Sequence, residues 1–204
     1  MWKELKRIIK PNWAIVLFGS EPFSSALRMS NIKQYKYDWK WEKSRCSNVM
    51  QAKLSPLKNY EDILIFSNGT LCATSNNKAL YYPQWLIDCE RECTYEKKND
   101  WVLWNRKARD YTQTKTWYPK SIIKFDNENW LHPTQKPVAL IEYLIKTYTN
   151  EWETVLDFTI GSWTTAIACI NTNRNYIGFE LDKWYFDIAN ERIKNHMTQL
   201  KEWK

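Results

Sequence analysis

The chain has 204 residues, 44% of them hydrophobic, enough for one α/β core and too few for two domains of ordinary size. Its 30 lysines and arginines against 23 acids leave a net charge of +7, which favours a polyanionic partner through counterion release without implying any sequence preference. No apolar run approaches the roughly 20 residues of a membrane span, Met1 is followed by a charged amphipathic segment instead of a signal-peptide core, and five scattered cysteines with two histidines offer too few ligands for a zinc site, so the thiols read as reduced and the protein as cytoplasmic.

In chain order, Trp2 to Ile9 carries Trp2, Leu5, Ile8 and Ile9 at helical spacing, and Pro11-Asn12 ends it. Ala14 to Phe18, followed by Gly19-Ser20, is a continuous apolar run, the pattern of a strand buried on both faces in a central parallel sheet. Pro22 to Met29 reads as a short helix, Tyr35 to Trp41 alternates as a strand, and Glu61 to Phe66 is a further strand. Between the last two, Lys43 to Lys58 carries Lys43, Arg45, Lys53 and Lys58 among small polar residues and reads as a loop. From Asn68 to Tyr118 periodicity is lost, in a stretch rich in Asn, Thr, Lys and Tyr that also holds Arg106, Lys107 and Arg109. A loop of that length inside a compact domain is more often functional than filler. Ser121 to Phe125 predicts a strand and Asp126 to Trp130 a turn, and Pro137 opens a helix with Val138, Ile141, Leu144, Ile145 and Tyr148 on one face.

The stretch from Glu153 to Asp182 organises the rest. Val155 to Phe158 is a short apolar run that includes an acid; Asp157 to Thr165 is a turn of small and hydroxylated residues opening onto a helix with Ala166, Ile167 and Ile170 on its apolar face; Asn171 to Asn175 breaks that helix, and Tyr176 to Phe179 is a second buried strand. This is a βαβ unit, and such units build parallel sheets whose ligands sit beyond the carboxyl ends of the strands. Glu180 ends the second strand about 20 residues beyond Gly161, the spacing at which an acid commonly receives ribose hydroxyls. A dinucleotide-binding loop would need further glycines, and this one offers only Gly161, with Trp163 at the next glycine place. Lys183 to Thr198 follows as an amphipathic helix with Trp184, Ile188 and Ile193 facing inward.

Three motifs in this order, His132-Pro133-Thr134-Gln135-Lys136-Pro137, the Asp157-Phe158-Thr159-x-Gly161-Ser162-x-Thr164-Thr165 loop and Gly178-Phe179-Glu180-Leu181-Asp182, resemble the amino-methylating DNA methyltransferases. The match is to the group with circularly permuted motif order, the beta class, and it extends upstream through Trp39-x-Trp41-Glu42-Lys43, Ala52-Lys53, Pro56-Leu57 and Glu61-Asp62-Ile63-Leu64-x-Phe66. The resemblance implies one α/β Rossmann-like domain over 1–204, with helices on both faces of a sheet, and a target-recognition insertion over 68–120. It implies S-adenosylmethionine as cofactor, bound by Asp157, Phe158, Thr159, Gly161, Ser162, Thr164 and Thr165 around its methionine and sugar, by Glu180 at the ribose hydroxyls, and by His132, Pro133, Gln135, Lys136 and Pro137 at the pocket's edge. It implies double-stranded DNA as partner, with Lys43, Arg45, Lys53, Arg106, Lys107 and Arg109 as phosphate or base contacts, and a companion restriction enzyme. The expected reaction is methyl transfer to the exocyclic amine of a flipped base, adenine N6 in preference to cytosine N4. A DNA-binding remnant without turnover and a nucleotide-binding oxidoreductase are the competing readings.

Two departures stand out. Enzymes of this group hold the target amine with an Asp/Asn-Pro-Pro-aromatic tetrapeptide, and none of the seven prolines here is adjacent to another, so the chain is expected to start just after that motif, to lack its strand and to be inactive alone. Only four glycines stand against thirteen tryptophans, where glycine usage of about 7% is ordinary. Trp13, Trp85, Trp117, Trp130, Trp152 and Trp163 fall where relatives carry glycine, which points to UGA codons that encode glycine in the source and have been read as tryptophan. On this expectation Trp163 blocks backbone approach to a ligand, and Trp13 and Trp152 strain turns that need positive φ.

Overall fold

The computed structural model describes residues 1–95, 109–128, 135–161 and 163–202, with 95, 109, 201 and 202 by backbone alone. They form two compact units, one of Met1–Tyr82 with Ser121–Lys204 and one of Pro83–Lys120. In chain order the elements are α1 (Trp2–Ile8), β1 (Ala14–Gly19), α2 (Phe23–Ser30), β2 (Tyr35–Lys43), β3 (Tyr60–Ser67), β4 (Ile87–Tyr95), β5 (Arg109–Thr116), β6 (Ile122–Phe125), α3 (Val138–Tyr148), β7 (Thr154–Asp157), α4 (Thr164–Asn171), β8 (Asn175–Gly178) and α5 (Lys183–Glu202).

The larger unit holds two sheets. One has the order β1-β3-β2-β6, with β3 antiparallel to both its neighbours and β6 parallel to β2; the other is the parallel pair β7-β8. The place of the strand buried on both faces belongs to β3, whose Ile63, Leu64, Ile65 and Phe66 are each at most 2% exposed. The sequence assigned that role to Ala14–Phe18, in a parallel sheet. Instead β1 lies at the sheet's edge, antiparallel to β3, and most of its residues are only partly buried. A continuous apolar run does not fix the direction or number of its neighbours.

The core forms where α3 packs on the sheet. Leu140, Tyr143, Leu144 and Tyr148 meet Trp39, Trp41, Ile63 and Ile65, and α4 adds Ala168 and Cys169. Both core tryptophans of β2 satisfy their indole N–H groups, Trp39 donating to the Tyr148 hydroxyl at 2.7 Å and Trp41 to the Phe125 carbonyl at 2.9 Å. The βαβ expectation holds: β7 and β8 pair in parallel from Thr154 opposite Asn175 to Asp157 opposite Gly178, with α4 between them in the chain. Helix α5 buries Ala189 and Ile193 against α4, whereas Trp184, expected to face inward, is 62% exposed.

An ion-pair network ties α2 to the sheet. Arg28 contacts Glu21 at 2.7 Å and Asp38 at 3.0 Å, and Lys40 contacts Asp38 at 2.7 Å and the fully buried Asp62 at 2.5 Å. The Ser25 hydroxyl and the Arg28 guanidinium hold the Glu21 carboxyl at about 2, against an ordinary 4.5. Burial opposes ionisation of Asp38, but Lys40, Tyr35 and Arg28 outweigh it and keep that carboxyl below its usual range. A carboxyl whose folded pKa is depressed stabilises fully above its unfolded pKa and loses that contribution as pH falls through the folded value. Stability is therefore expected to decline from about pH 4.5 towards pH 2, and Glu21→Gln to flatten that decline in urea melts taken across this range.

The smaller unit is built on the antiparallel hairpin β4–β5, from Ile87 opposite Thr116 to Tyr95 opposite Arg109. The sequence assigned no strand to this stretch. In β4, Ile87, Cys89, Cys93 and Tyr95 alternate with Asp88, Glu90, Glu92 and Thr94, but Arg91 interrupts the series beside a register shift, and β5 carries Tyr111 as its one large apolar residue, so the alternation is weak.

Candidate functional site

The site grows from the end of β7. Asp157 is the last residue of that strand, and its carboxylate turns back into the loop that follows: Oδ1 accepts the Thr159 N–H at 3.1 Å and Oδ2 the Thr165 hydroxyl at 2.6 Å. One side chain thus spans the turn from its second residue to the first turn of α4. The loop is also tied to the neighbouring strand, since the Phe179 N–H donates to the Asp157 carbonyl at 3.0 Å and the Ile160 N–H to the Phe179 carbonyl at 3.1 Å. Gly178 is where the loop rests on β8, for a Cβ there would collide with the Ile160 side chain.

Glu180 closes the arrangement. Its Oε2 accepts the Gly161 N–H at 3.0 Å and its Oε1 the Asp182 N–H at 2.9 Å, while Asp182 caps α5 by accepting the Trp184 N–H at 2.8 Å. The expected ribose acid is thus engaged with backbone. A carboxylate offers about four lone-pair sites, so two such bonds leave acceptor capacity for a hydroxyl.

The loop borders a cleft of about 1130 Å³ lined by Asp157, Phe158, Thr159, Gly161, Thr164 and Thr165 on one side and by Ala14 to Phe18 of β1 on another; Glu180 holds the loop through the Gly161 N–H and is not among the lining residues. Gln135 and Lys136 line it as well, so the structure brings two residues of the His132–Pro137 motif to the loop. Lys136 Nζ lies 2.9 Å from Glu61 and 5.0 Å from the centre of the Phe18 ring. Pro137 stands at the start of α3 in extended conformation. His132, Pro133 and Ser162 lie outside the described residues.

Sequence reasoning quoted Phe179 in a motif but gave neither it nor Ile177 a place in the site; both line the same cleft and are 59% and 50% exposed, beside Phe158 at 40%. Exposed apolar side chains at the end of a parallel strand, next to a loop of hydroxyls and carboxylates, were the available signal. Glu61 was also missed as a site residue; it bridges Lys136 and, at 2.7 Å, Lys43.

The expected DNA contacts separate into classes. Lys43 belongs to β2, where it pairs with Glu61 and lies 4.8 Å from the Trp41 ring centre, so it is held in place and is not part of a loose loop. Arg45 and Lys53 are exposed in the following loop. Arg106, Lys107 and the Arg109 side chain fall outside what is described. Among the described residues no group of three or more His, Cys, Asp or Glu is placed to hold a metal ion, and no helix is long and apolar enough to cross a membrane.

The tryptophans expected at glycine places divide too. Trp85, Trp117, Trp152 and Trp163 have φ between 60° and 67°. Trp13 does not, because the preceding Asn12 takes the positive φ of that turn, and Trp130 lies outside the described residues. The Trp163 ring does not line the cleft as expected; it packs 6.0 Å from Tyr176 and 5.8 Å from Phe186.

Known proteins share this arrangement. The chain is 27% identical over 200 residues to the type II methyltransferase M.HpaI of Haemophilus parainfluenzae, covering 96% of this chain and 58% of that protein. It is 33% identical over 106 residues to the type II methyltransferase M.BglI of Bacillus subtilis, covering 52% of this chain and 27% of that one. The chain therefore spans between about a quarter and three fifths of these relatives' lengths. Among solved structures, M1.HpyAVI in complex with SAM superposes with a TM-score of 0.60 at 25% identity, over 93% of this chain and 78% of that one. The cytosine-N4-specific PvuII DNA methyltransferase superposes at 0.60 with 16% identity, over 94% and 71%, a likeness of fold. Residues 1–191 match the family described as DNA methylase, and the chain belongs to that family of N6 and N4 methyltransferases.

Proposed function

We propose that this chain is the cofactor-binding part of a DNA methyltransferase that uses S-adenosylmethionine. The observation that carries this reading is the cleft at the end of β7, where Asp157 orders the loop, Glu180 crosses it, and Phe158, Ile177 and Phe179 offer apolar surface to an adenine ring. The residues present fit such a molecule. Asp157 on the lining and Glu180 beside the loop would meet its positive charge and hydroxyls, Thr159, Thr164 and Thr165 would meet its polar groups, and Phe158 and Phe179 would meet its base. Bound there, the cofactor supplies an electrophilic methyl group. The chain's own residues bind it, fix its orientation and exclude water from one side.

The acceptor is the exocyclic amine of a base flipped from double-stranded DNA, adenine N6 in preference to cytosine N4, as the motif resemblance implies. The amine's lone pair is delocalised into the ring. Groups that accept its hydrogen bonds localise the lone pair and aim it at the methyl, so orientation and electrostatics supply most of the rate. The chain holds no Asp/Asn-Pro-Pro-aromatic run that would place such acceptors. The fold supports a place for one: among the described residues β1 and β7 each pair with a single strand, and both line the cleft with successive residues, 14–18 and 154–157. A strand carrying the acceptors and pairing along one or both of these edges would bring them to the cofactor's methyl.

The chain by itself is then expected to bind S-adenosylmethionine without transferring methyl groups to duplex DNA. Fusing a strand-forming segment with an Asp-Pro-Pro-Tyr terminus ahead of Met1 is expected to restore transfer, read as labelled methyl in DNA, and base analysis identifies the acceptor. Transfer by the unfused chain would contradict this account.

A further inference from the structure

Six residues other than glycine have positive φ in the described structure: Asn12, Asn173 and the four tryptophans Trp85, Trp117, Trp152 and Trp163. Asparagine is enriched at such positions because its short polar side chain bonds locally. For a bulky residue the left-handed region is an outlier, because Cβ crowds the following carbonyl. Yet four of nine described tryptophans occupy it.

Two sets of the described tryptophans contrast by more than backbone angle, and Trp13 and Trp184, which have ordinary φ, belong to neither. Trp2, Trp39 and Trp41 have ordinary φ, and each indole N–H donates a hydrogen bond, to Ser30, Tyr148 and Phe125 respectively. Trp85, Trp117 and Trp152 are 61%, 72% and 71% exposed, so their rings contribute little to any core. Trp163 is buried, and its Nε1 has no hydrogen-bond partner, an unsatisfied donor of the kind native interiors avoid. It also starts α4 at φ 60°, ψ 29°, a left-handed cap without a side-chain acceptor.

Two turns in this chain make the comparison direct. Lys10 to Trp13 is closed by the Trp13 N–H on the Lys10 carbonyl at 3.3 Å, and its third residue, Asn12, has φ 67°. Asn150 to Glu153 is closed in the same way at 3.4 Å, and its third residue, also at φ 67°, is Trp152. The third place of such a turn takes glycine or asparagine. One turn obeys that rule, and the other puts the largest side chain there.

We infer that positions 85, 117, 152 and 163 are glycine positions of the natural protein, encoded by UGA codons that its source translates as glycine while the standard tryptophan codon UGG specifies the core tryptophans. A single cause then accounts for tryptophan in excess, glycine in deficit, four positive φ angles and a buried unpaired indole. The turn after β7 then carries a glycine on each side of Ser162, and the expectation for Trp13 rests on no demand of the backbone.

The gene's codons test this directly: UGA is expected at 85, 117, 152 and 163 and UGG at 2, 39 and 41, and UGG at the four turn positions would overturn the inference. A second test uses the full chain. Trp85, Trp117 and Trp152 replaced together by glycine should raise Tm by ~5 °C or more, because left-handed strain is removed at three turns while the rings given up are largely exposed. Trp39→Gly, which empties a core site, should lower it. A triple variant that melts no higher than its parent would show that these turns do not call for glycine. Neither readout involves cofactor binding, so this inference and the proposed function succeed or fail separately.

Discussion

Replacing Asp157 by alanine is expected to weaken S-adenosylmethionine binding by about 10- to 100-fold. The carboxylate makes two charge-assisted bonds across one turn, to the Thr159 N–H and the Thr165 hydroxyl, and these fix where the loop's N–H groups and side chains stand. Hydrogen bonds to a charged group contribute roughly 1.5–3 kcal/mol, and the loss falls on the geometry of the bound state because the turn lies at an exposed strand end. Thr165→Val removes one of the two bonds and should give a smaller loss. Calorimetric titration of each variant checks the order, and urea melts close to the parent's would show that the loss is one of binding. Equal affinity for the parent and the alanine variant would mean that the loop is not the cofactor's seat.

Trp41→Ala is expected to cost about 3–5 kcal/mol of stability, the usual range for emptying a large aromatic site. Trp41 is 1% exposed in the cluster formed by β2, β3, β6 and α3, it donates to the Phe125 carbonyl that joins β2 to β6, and Lys43 covers its ring. Total stabilities of about 5–15 kcal/mol make such a loss a large share of the margin. Trp184→Ala, at a site 62% exposed, should stay within about 0.5 kcal/mol. Urea midpoints of the two variants, measured side by side, give the contrast.

The second half of the larger unit was legible because its physics is local. Val155 to Phe158, the hydroxylated turn and Tyr176 to Phe179 announce a strand, a helix start and a parallel strand within 30 residues, and β7, α4 and β8 form in those places. Asp157 and Thr165 could be singled out as loop residues for the same reason. Partnerships over long separations were not legible. Nothing in Ala14 to Phe18 says that its neighbour is antiparallel or that one edge stays open, and nothing near Glu61 says that it joins Lys43 to Lys136. The hairpin of β4 and β5 was missed because its alternation rests on Ile87, Cys89, Cys93 and Tyr95, is broken by Arg91, and is answered in β5 by Tyr111 alone, too weak a signal of a half-buried strand. The tryptophans show a different limit. Composition flagged them, but which turns require positive φ became visible only when each backbone was traced, and Asn12 turned out to carry the burden expected of Trp13.

The central claim is that the loop end of the cleft, where Asp157 to Thr165 meets Ile177 and Phe179, is the seat of S-adenosylmethionine. Calorimetric titration of that molecule into the full chain, with a nicotinamide dinucleotide as the comparison, tests it most directly. The account predicts saturable binding of S-adenosylmethionine, reduced by Asp157→Ala, and none of the dinucleotide. No binding of S-adenosylmethionine by the chain or by its Trp163→Gly variant, or a preference for the dinucleotide, would contradict it.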